Sequence, residues 1–245
     1  MKELSVRESV RLRVGDLLAV SEKRNRSGFS AFLNEAEQRY ARELLEERGV
    51  DFCFWGGSDN CVRQMLCVFP EGGTEIFPVY SLTFTFRSAD SLSHRDFLGS
   101  FLSLGINRDQ IGDILTADGY AIVFCTKTAF SLISGLTKIG RTGVSASEGI
   151  TRDVPEIRFT EQNVVVASLR ADCVVSAVSG LSREKSADYI KLGHFMLNYG
   201  VCTNVSKLLT DGDILTMRGY GKFVLIPGGS ETKKGRLRIK LKKYS

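Results

Sequence analysis

The chain has 245 residues, of which 43% are hydrophobic and 25% charged, and a formal net charge of +5 at pH 7. This composition is typical of a globular protein and excludes a disordered or collagen-like chain. Apolar runs stay far below the roughly 18 residues of a membrane span, and the first 25 residues lack the apolar core of a signal peptide. We therefore expect a cytoplasmic, monomeric protein that does not engage a membrane.

The first 73 residues predict two helices and a hairpin. Apolar residues recur at helical spacing over 10–18 and over 36–45. Two short apolar runs, 51–55 and 64–69, flank a turn-rich Gly-Gly-Ser-Asp-Asn stretch and predict strands. Pro70 to Gly73 marks a boundary, so we predict a first domain over residues 1–73.

Residues 74–160 predict a second domain. The expected order is a strand at 76–86, a helix at 93–104, strands at 112–116 and 120–125, a helix at 127–138 and a strand at 143–146. Ser93 is suited to cap the first of these helices, and Asp118-Gly119 indicates a hairpin turn. The βαββαβ order is that of a ferredoxin-like domain, which hosts many functions, and the whole chain is predicted to be α+β.

The last domain, residues 166–245, carries the positive charge. It holds 14 Lys+Arg and 6 Asp+Glu, a net charge of +8, whereas residues 1–165 hold 19 and 22, a net charge of −3. Such a patch attracts phosphate polymers by counterion release. The alternative is a solvated basic tail that has no partner.

Two helices and several strands are predicted in this basic domain. A helix over 169–178 ends at Gly180, and Ser182 is suited to cap a second helix that carries Arg183, Lys185 and Lys191. The run 236–242 alternates strictly. As a strand, it places one set of side chains on each face: Arg236, Arg238, Lys240 and Lys242 on one, and Leu237, Ile239 and Leu241 on the other.

Metal and cofactor sites are not predicted. None of the six cysteines forms a Cys-x-x-Cys pair, and the two histidines, His94 and His194, are a hundred residues apart. A Gly-x-Gly-x-x-Gly loop after a strand is missing as well. Cys67 and Cys125 lie in apolar, strand-like runs, so we expect them to be buried thiols.

The basic domain resembles the S-four (alpha-L) RNA-binding domain. The resemblance spans about 50 residues and rests on the stretches Ser168-Leu-Arg-Ala-Asp172, Ser182-Arg-Glu-Lys-Ser-Ala187, Ile190-Lys-Leu-Gly-His194 and Asp211-Gly-Asp-Ile214. It implies that the second helix and its flanking turns contact structured RNA. The candidate RNA-binding residues are Arg183, Lys185, Lys191, His194, Lys207, Arg218, Lys222, Arg236, Arg238 and Lys240, some of which are alternatively ordinary solvated side chains.

Most of the chain resembles the YlmH-like family, whose relatives include photosystem II S-four domain proteins. The resemblance rests on Phe54-Trp-Gly-Gly57, Ser93-His-Arg-Asp-Phe-Leu-Gly99, Leu104-Gly-Ile106, Gly112-Asp-Ile114 and Lys138-Ile-Gly-Arg141, whereas Asn34-Glu35 and Asn60 depart from the pattern. It implies that the middle domain also binds RNA, with Arg95, Arg108, Lys138 and Arg141 as candidates. It further implies binding to rRNA or tRNA on the ribosome, plausibly on the large subunit during quality control of stalled nascent chains.

His94-Arg95-Asp96 raises one enzymatic alternative. Pseudouridine synthases combine an S-four domain with an aspartate beside an arginine, which makes Asp96 the catalytic candidate. Their S-four domain usually comes first, however, and here it comes last. Asp96 also lies in the first turn of the predicted helix, where a carboxylate favours the helix dipole. We therefore predict a non-enzymatic RNA-binding protein.

Overall fold

A computed structural model describes residues 6–70, 76–156, 159–232 and 235–244. The chain forms two compact units, residues 1–156 and 157–245. The predicted domains 1–73 and 74–160 both fall essentially within the first unit, and the boundary between them stays a prediction. The mixture of helices and antiparallel sheets is α+β, as predicted.

The first unit opens with a three-stranded sheet covered by two helices. Its elements are α1 (Val6–Arg24), β1 (Gly28–Leu33), α2 (Glu35–Glu46), β2 (Phe52–Trp55) and β3 (Gln64–Val68). The antiparallel sheet has the order β1-β3-β2, so the predicted hairpin β2–β3 gains a third strand that was not predicted. The side chain of Asn34 accepts hydrogen bonds from the backbone of Ala36 and Glu37, which starts α2.

The remainder of the first unit follows the predicted strand–helix order. Its elements are β4 (Tyr80–Thr85), α3 (His94–Ser103), β5 (Ile111–Ala117), β6 (Tyr120–Cys125), α4 (Lys127–Ile133), β7 (Lys138–Ile139), β8 (Thr142–Gly143) and β9 (Ser145–Glu148). The antiparallel sheet runs β5-β6-β4-β9, and β7 and β8 form a separate two-stranded pair. Helix α4 ends five residues before the predicted end. Phe97 and Phe101 of α3 pack against Phe84 of the sheet.

The second unit is one sheet with two helices. Its elements are β10 (Phe159–Val166), α5 (Ala171–Ser179), α6 (Arg183–Lys191), β11 (Phe195–Leu197), β12 (Gly200–Val201), β13 (Ile214–Met217), β14 (Gly221–Glu231) and β15 (Leu237–Tyr244). The sheet order is β10-β15-β14-β13-β11-β12. The core joins residues of both helices, such as Val174 and Ile190, to Phe223, Leu225 and Leu241 of the sheet.

Burial is consistent with the two predicted thiols, because Cys67 and Cys125 are both fully buried. Among the helices in the described part of the chain, none has the length and apolarity needed to cross a bilayer.

Candidate nucleic-acid interface

The start of α6 is fixed by the residues that precede it. Gly180 has a φ of 73°, a left-handed conformation that ends α5 and that glycine adopts without steric cost. Ser182 then caps α6, since its hydroxyl accepts a hydrogen bond from the backbone N–H of Lys185 at 3.3 Å. Arg183 is therefore the first residue of the helix, where the helix dipole favours anions.

A buried carboxylate holds two arginines at this point. Oδ2 of Asp172 accepts a hydrogen bond of 2.7 Å from Nη2 of Arg183. Both carboxylate oxygens of Asp172 also accept from Arg170, from Nε at 3.1 Å and from Nη2 at 3.3 Å. The Asp172 side chain is 7% exposed, whereas the side chains of Arg170 and Arg183 are 41% and 56% exposed. The buried carboxylate thus holds both guanidinium groups, which remain accessible to solvent.

The pKa of Asp172 reflects this contact. Burial alone would raise the pKa of the carboxyl group, but the hydrogen bonds and positive charges of Arg170 and Arg183 outweigh it and lower the pKa to about 2. The carboxylate is consequently ionised at neutral pH, and the pair of arginines keeps a net positive charge.

Three further basic residues lie on α6 or beside the start of α5. Lys207 is exposed, and its backbone carbonyl accepts a 2.8 Å hydrogen bond from the N–H of Ala171, which places it beside the start of α5. Lys185 and Lys191 are exposed on α6. We use the name helix surface for this set of five residues: Arg170, Arg183, Lys185, Lys191 and Lys207.

His194 and Arg218 lie at a cluster of aromatic rings instead. The ring of Tyr189 is 5.3 Å from the imidazole of His194, and 6.1 Å from the ring of Tyr220. The hydroxyl of Tyr189 donates a 2.8 Å hydrogen bond to the backbone carbonyl of Arg218. His194 is half-buried, whereas Arg218 is exposed. Arg218 can therefore reach a phosphate more easily than His194.

Lys222 is engaged within the protein. Its ammonium group donates a 2.6 Å hydrogen bond to the hydroxyl of Tyr199 and lies 4.2 Å from the centre of the Tyr244 ring. The side chain is half-buried. Cation–π and hydrogen-bond contacts of this kind fix the charge in place.

The terminal strand has the two faces that its sequence predicts. Ile239 and Leu241 are buried in the core that contains α5 and α6. Arg238 and Lys240 are exposed on the opposite face, and Arg236 is exposed just before the strand. We use the name sheet surface for Arg236, Arg238, Lys240 and Lys242. Because the helices cover the other face of this sheet, the helix surface and the sheet surface are separate.

In the first unit, three of the four candidates are exposed. Lys138 and Arg141 flank Gly140, whose N–H donates a 3.2 Å hydrogen bond to the hydroxyl of Ser100 on α3. Arg95 lies in the first turn of the same helix. Arg108 differs, since it is half-buried and donates to the backbone carbonyls of Ile111 and Gly112.

Asp96 has the geometry of a helix cap. Its carboxylate accepts hydrogen bonds from the backbone N–H of Ser93 at 2.8 Å and from the Ser93 hydroxyl at 2.5 Å. These bonds lower the pKa of Asp96. Because Oδ2 of Asp96 is thus engaged in capping α3, the geometry favours the structural interpretation.

Sequence reasoning missed Arg170 and Asp172 as members of the site. Both lie in the Ser168–Asp172 stretch that carries the S-four resemblance. The available signal was the position of Asp172 directly before the apolar residues Cys173 and Val174 of a predicted helix, because a carboxylate buried there requires a partner.

The chain is similar to several known proteins. Residues 80–153 match the family model described as "Putative RNA-binding domain in YlmH". The "Ribosome-associated protein quality control protein P2" of Bacillus subtilis (strain 168) is 29% identical over 227 residues, which cover 90% of this chain and 88% of that protein. The solved structure of a cell division protein, YlmH from Streptococcus pneumoniae, covers 61% of this chain and 95% of its own, with a TM-score of 0.52 and 17% identity, which shows a shared fold.

Proposed function

We propose that this chain, which is similar to YlmH-like proteins over most of its length, is a non-enzymatic RNA-binding protein that acts on the ribosome. The observation that carries the proposal is the anchoring of Arg170 and Arg183 by the buried carboxylate of Asp172. Two solvent-facing guanidinium groups at a helix start suit the phosphates of structured RNA, because their donors match pairs of phosphate oxygens.

The name of the Bacillus subtilis relative supports the ribosomal part of the proposal. That protein is described as ribosome-associated and as a quality control protein. We infer the same association here, with structured rRNA or tRNA as ligand and the large subunit as the place of binding, in the handling of stalled nascent chains. A role on ribosomes carries a cytoplasmic location with it.

The proposal assigns RNA contacts to two domains. Residues 166–245 would act as the S-four domain, with the helix surface as its principal contact. Residues 74–160 would act as a ferredoxin-like domain that contributes Arg95, Lys138 and Arg141. The match of residues 80–153 to an RNA-binding family model supports the second assignment.

The test is co-sedimentation with ribosomes together with filter binding of ribosomal RNA over a range of salt concentrations. We expect the double change Arg183→Glu with Lys185→Glu to weaken both. The slope of log affinity against log salt should fall by roughly one for each phosphate that the variant no longer neutralises. The matched control is Arg11→Glu with Lys23→Glu, two exposed residues of α1. Equal binding by the two double variants would refute the proposal.

The competing function is RNA modification with Asp96 as the catalytic residue. The change Asp96→Ala distinguishes the two proposals. We expect it to leave modified nucleosides in bulk rRNA and tRNA unchanged and to cause only a small loss of stability at the start of α3. Loss of one specific modification, with RNA affinity intact, would establish the enzymatic function instead.

A further inference from the structure

Two half-buried arginines of the first unit converge on a single backbone carbonyl. Nε of Arg63 donates to the carbonyl oxygen of Ile111 at 3.2 Å, and Nη1 of Arg108 donates to the same oxygen at 2.5 Å. Arg63 also bonds the carbonyl of Phe32 at 3.0 Å, and Arg108 that of Gly112 at 3.2 Å. The two guanidinium groups are therefore close neighbours, each held by backbone oxygens.

This pair of positive charges has no carboxylate in direct contact. Over the described residues, neither Arg63 nor Arg108 forms an ion pair. The carboxylate of half-buried Asp113 instead accepts the backbone N–H groups of Val62 at 2.5 Å and Arg63 at 2.9 Å. Two like charges at a half-buried point repel each other more strongly than in water, because the local dielectric constant is lower.

The titration behaviour agrees with this geometry. Burial first, and then the charge of Arg63, lower the pKa of Arg108 to about 10. Burial also lowers the pKa of Arg63, although Glu37, Asp113, Asp109 and Glu35 act in the opposite direction. The pKa of His94, the first residue of α3, is lowered by burial and by the positive charges of Arg108 and Arg63. His94 thus lies in the electric field of the two arginines.

Each arginine retains guanidinium N–H groups that are not used in hydrogen bonds to the described residues. Among the described residues, Nη1 of Arg63 and both Nε and Nη2 of Arg108 have no hydrogen-bond partner. Unused guanidinium N–H groups are donors that an oxyanion prefers.

We propose that Arg63 and Arg108 form a phosphate-binding site in the first unit, and that it takes a backbone phosphate of the RNA that this protein binds. The inference rests on the proposed RNA-binding function. The resemblance already makes Arg108 an RNA-binding candidate, and the inference adds Arg63 and a single phosphate that the two arginines share. Arg63 belongs to the first predicted domain, so the site would join that segment to the RNA.

The first experiment measures the affinity of the full chain for ribosomal RNA by filter binding. We expect Arg108→Gln to weaken binding roughly tenfold, as for the removal of a charge-assisted hydrogen bond, and to lower the salt slope by about one. Arg108→Lys should keep part of the affinity, and Arg11→Gln on α1 should keep all of it. Unchanged binding by Arg108→Gln, with weakened binding by Arg183→Glu, overturns the site and leaves the proposed function standing. If neither variant changes binding, both proposals fail.

The second experiment needs no variant, and so remains decisive if Arg108→Gln does not fold. The chain has only two histidines, so each imidazole gives a resolved NMR signal. The pKa of His94 is followed in the free protein, with a saturating RNA hairpin that has a 5′-hydroxyl end, and with inorganic phosphate at the same phosphate concentration. We expect the RNA hairpin, but not inorganic phosphate, to raise the pKa of His94, because a bound phosphate neutralises the charges of the two arginines. An unchanged value with the bound hairpin overturns the proposal, and an equal rise with inorganic phosphate shows a site for free phosphate instead.

Discussion

Asp172 holds Arg183 by a hydrogen bond of 2.7 Å, and the carboxylate lies beneath the surface while the guanidinium remains on it. The aspartate therefore acts as a positioning residue. It limits the rotamers of Arg183 and Arg170 before RNA arrives, which reduces the conformational entropy that binding must remove. The arginines would be less effective on a flexible loop with the same net charge.

Replacing Asp172 should weaken RNA binding even though the change removes a negative charge. We expect Asp172→Asn to reduce the affinity for ribosomal RNA, since the two arginines lose their anchor. A simple charge effect would raise the affinity instead. The matched control is Asp188→Asn on the exposed face of α6, which should bind RNA slightly more tightly. Tighter binding by both variants would exclude a positioning role for Asp172.

The same carboxylate should make stability depend on pH. Its pKa in the folded protein is about 2, below the ordinary value of 3.8. The ionised form therefore stabilises the folded state above the ordinary pKa, and this contribution is lost as the pH falls from about 4 towards 2. Because the arginines are exposed and screened, we expect the free energy of unfolding of Asp172→Asn to be about 1 kcal/mol lower than that of the wild type at pH 7. Urea unfolding at several pH values should show the difference shrinking below pH 4, and a constant difference would contradict the assignment.

Gly57 should be intolerant of a side chain. Its φ is 103°, and a Cβ atom there would overlap the ring of Phe124 and lie 2.9 Å from Val79. We expect Gly57→Ala to cost about 2–4 kcal/mol of unfolding free energy, from backbone strain and overpacking. Gly99 inside α3 has open space around it, so Gly99→Ala should stabilise by about 0.5–1 kcal/mol. Thermal or urea unfolding measures both changes, and similar effects from the two substitutions would be inconsistent with this packing.

The helix surface and the sheet surface should contribute independently to RNA binding. Arg238→Glu with Lys240→Glu removes charge from the face of the sheet opposite α5 and α6. We expect it to weaken the binding of ribosomal RNA, and the loss to add in free energy to that of Arg183→Glu with Lys185→Glu, because distant sites are additive within about 0.5 kcal/mol. Filter binding of the wild type, of each double variant and of the variant that combines them measures this additivity. No effect of the sheet-surface pair would mean that these charges are only solvated.

Thiol reactivity should distinguish buried from accessible cysteines. Burial, and then the charge of Asp113, raise the pKa of Cys61 to about 12, and burial raises that of Cys125 to about 12. The thiolate is the reactive form, so iodoacetamide at pH 8 should spare both in the folded protein. The two half-buried thiols, Cys53 and Cys202, should be alkylated first. Mass spectrometry of peptides before and after denaturation makes the comparison, and early labelling of Cys61 would show that the fold around it opens.

Much of the fold was predictable because local patterns and packing agree. The capped helices α3 and α6 and the hairpin β5–β6 lie where their sequence patterns predict them. Strand β1 was missed because Gly-Phe-Ser-Ala-Phe-Leu has neither alternation nor a continuous apolar run. It is stabilised instead by tertiary contacts, such as the hydrogen bond of 2.9 Å from the Leu66 N–H to the Ser30 hydroxyl.

The composition of β14 does not predict a continuous strand. It contains Pro-Gly-Gly at 227–229, which indicates a loop, yet the strand continues with a register shift between Ile226 and Ser230.

The candidate site was only partly predictable from the sequence. Single basic residues can be read from a sequence, whereas the shared contacts of Arg63 with Arg108, and of Asp172 with two arginines, depend on residues brought together by folding.

The sheet order of the second unit has a consequence for biosynthesis. Strand β15 is the last strand of this sheet to be translated, yet it lies in its interior and pairs with β10, the first. The sheet cannot close while residues 237–244 are still inside the ribosome that makes them, and non-local pairing of this kind is slow. The sheet surface, to which β15 contributes Arg238 and Lys240, therefore forms only after every other strand of this sheet has been translated.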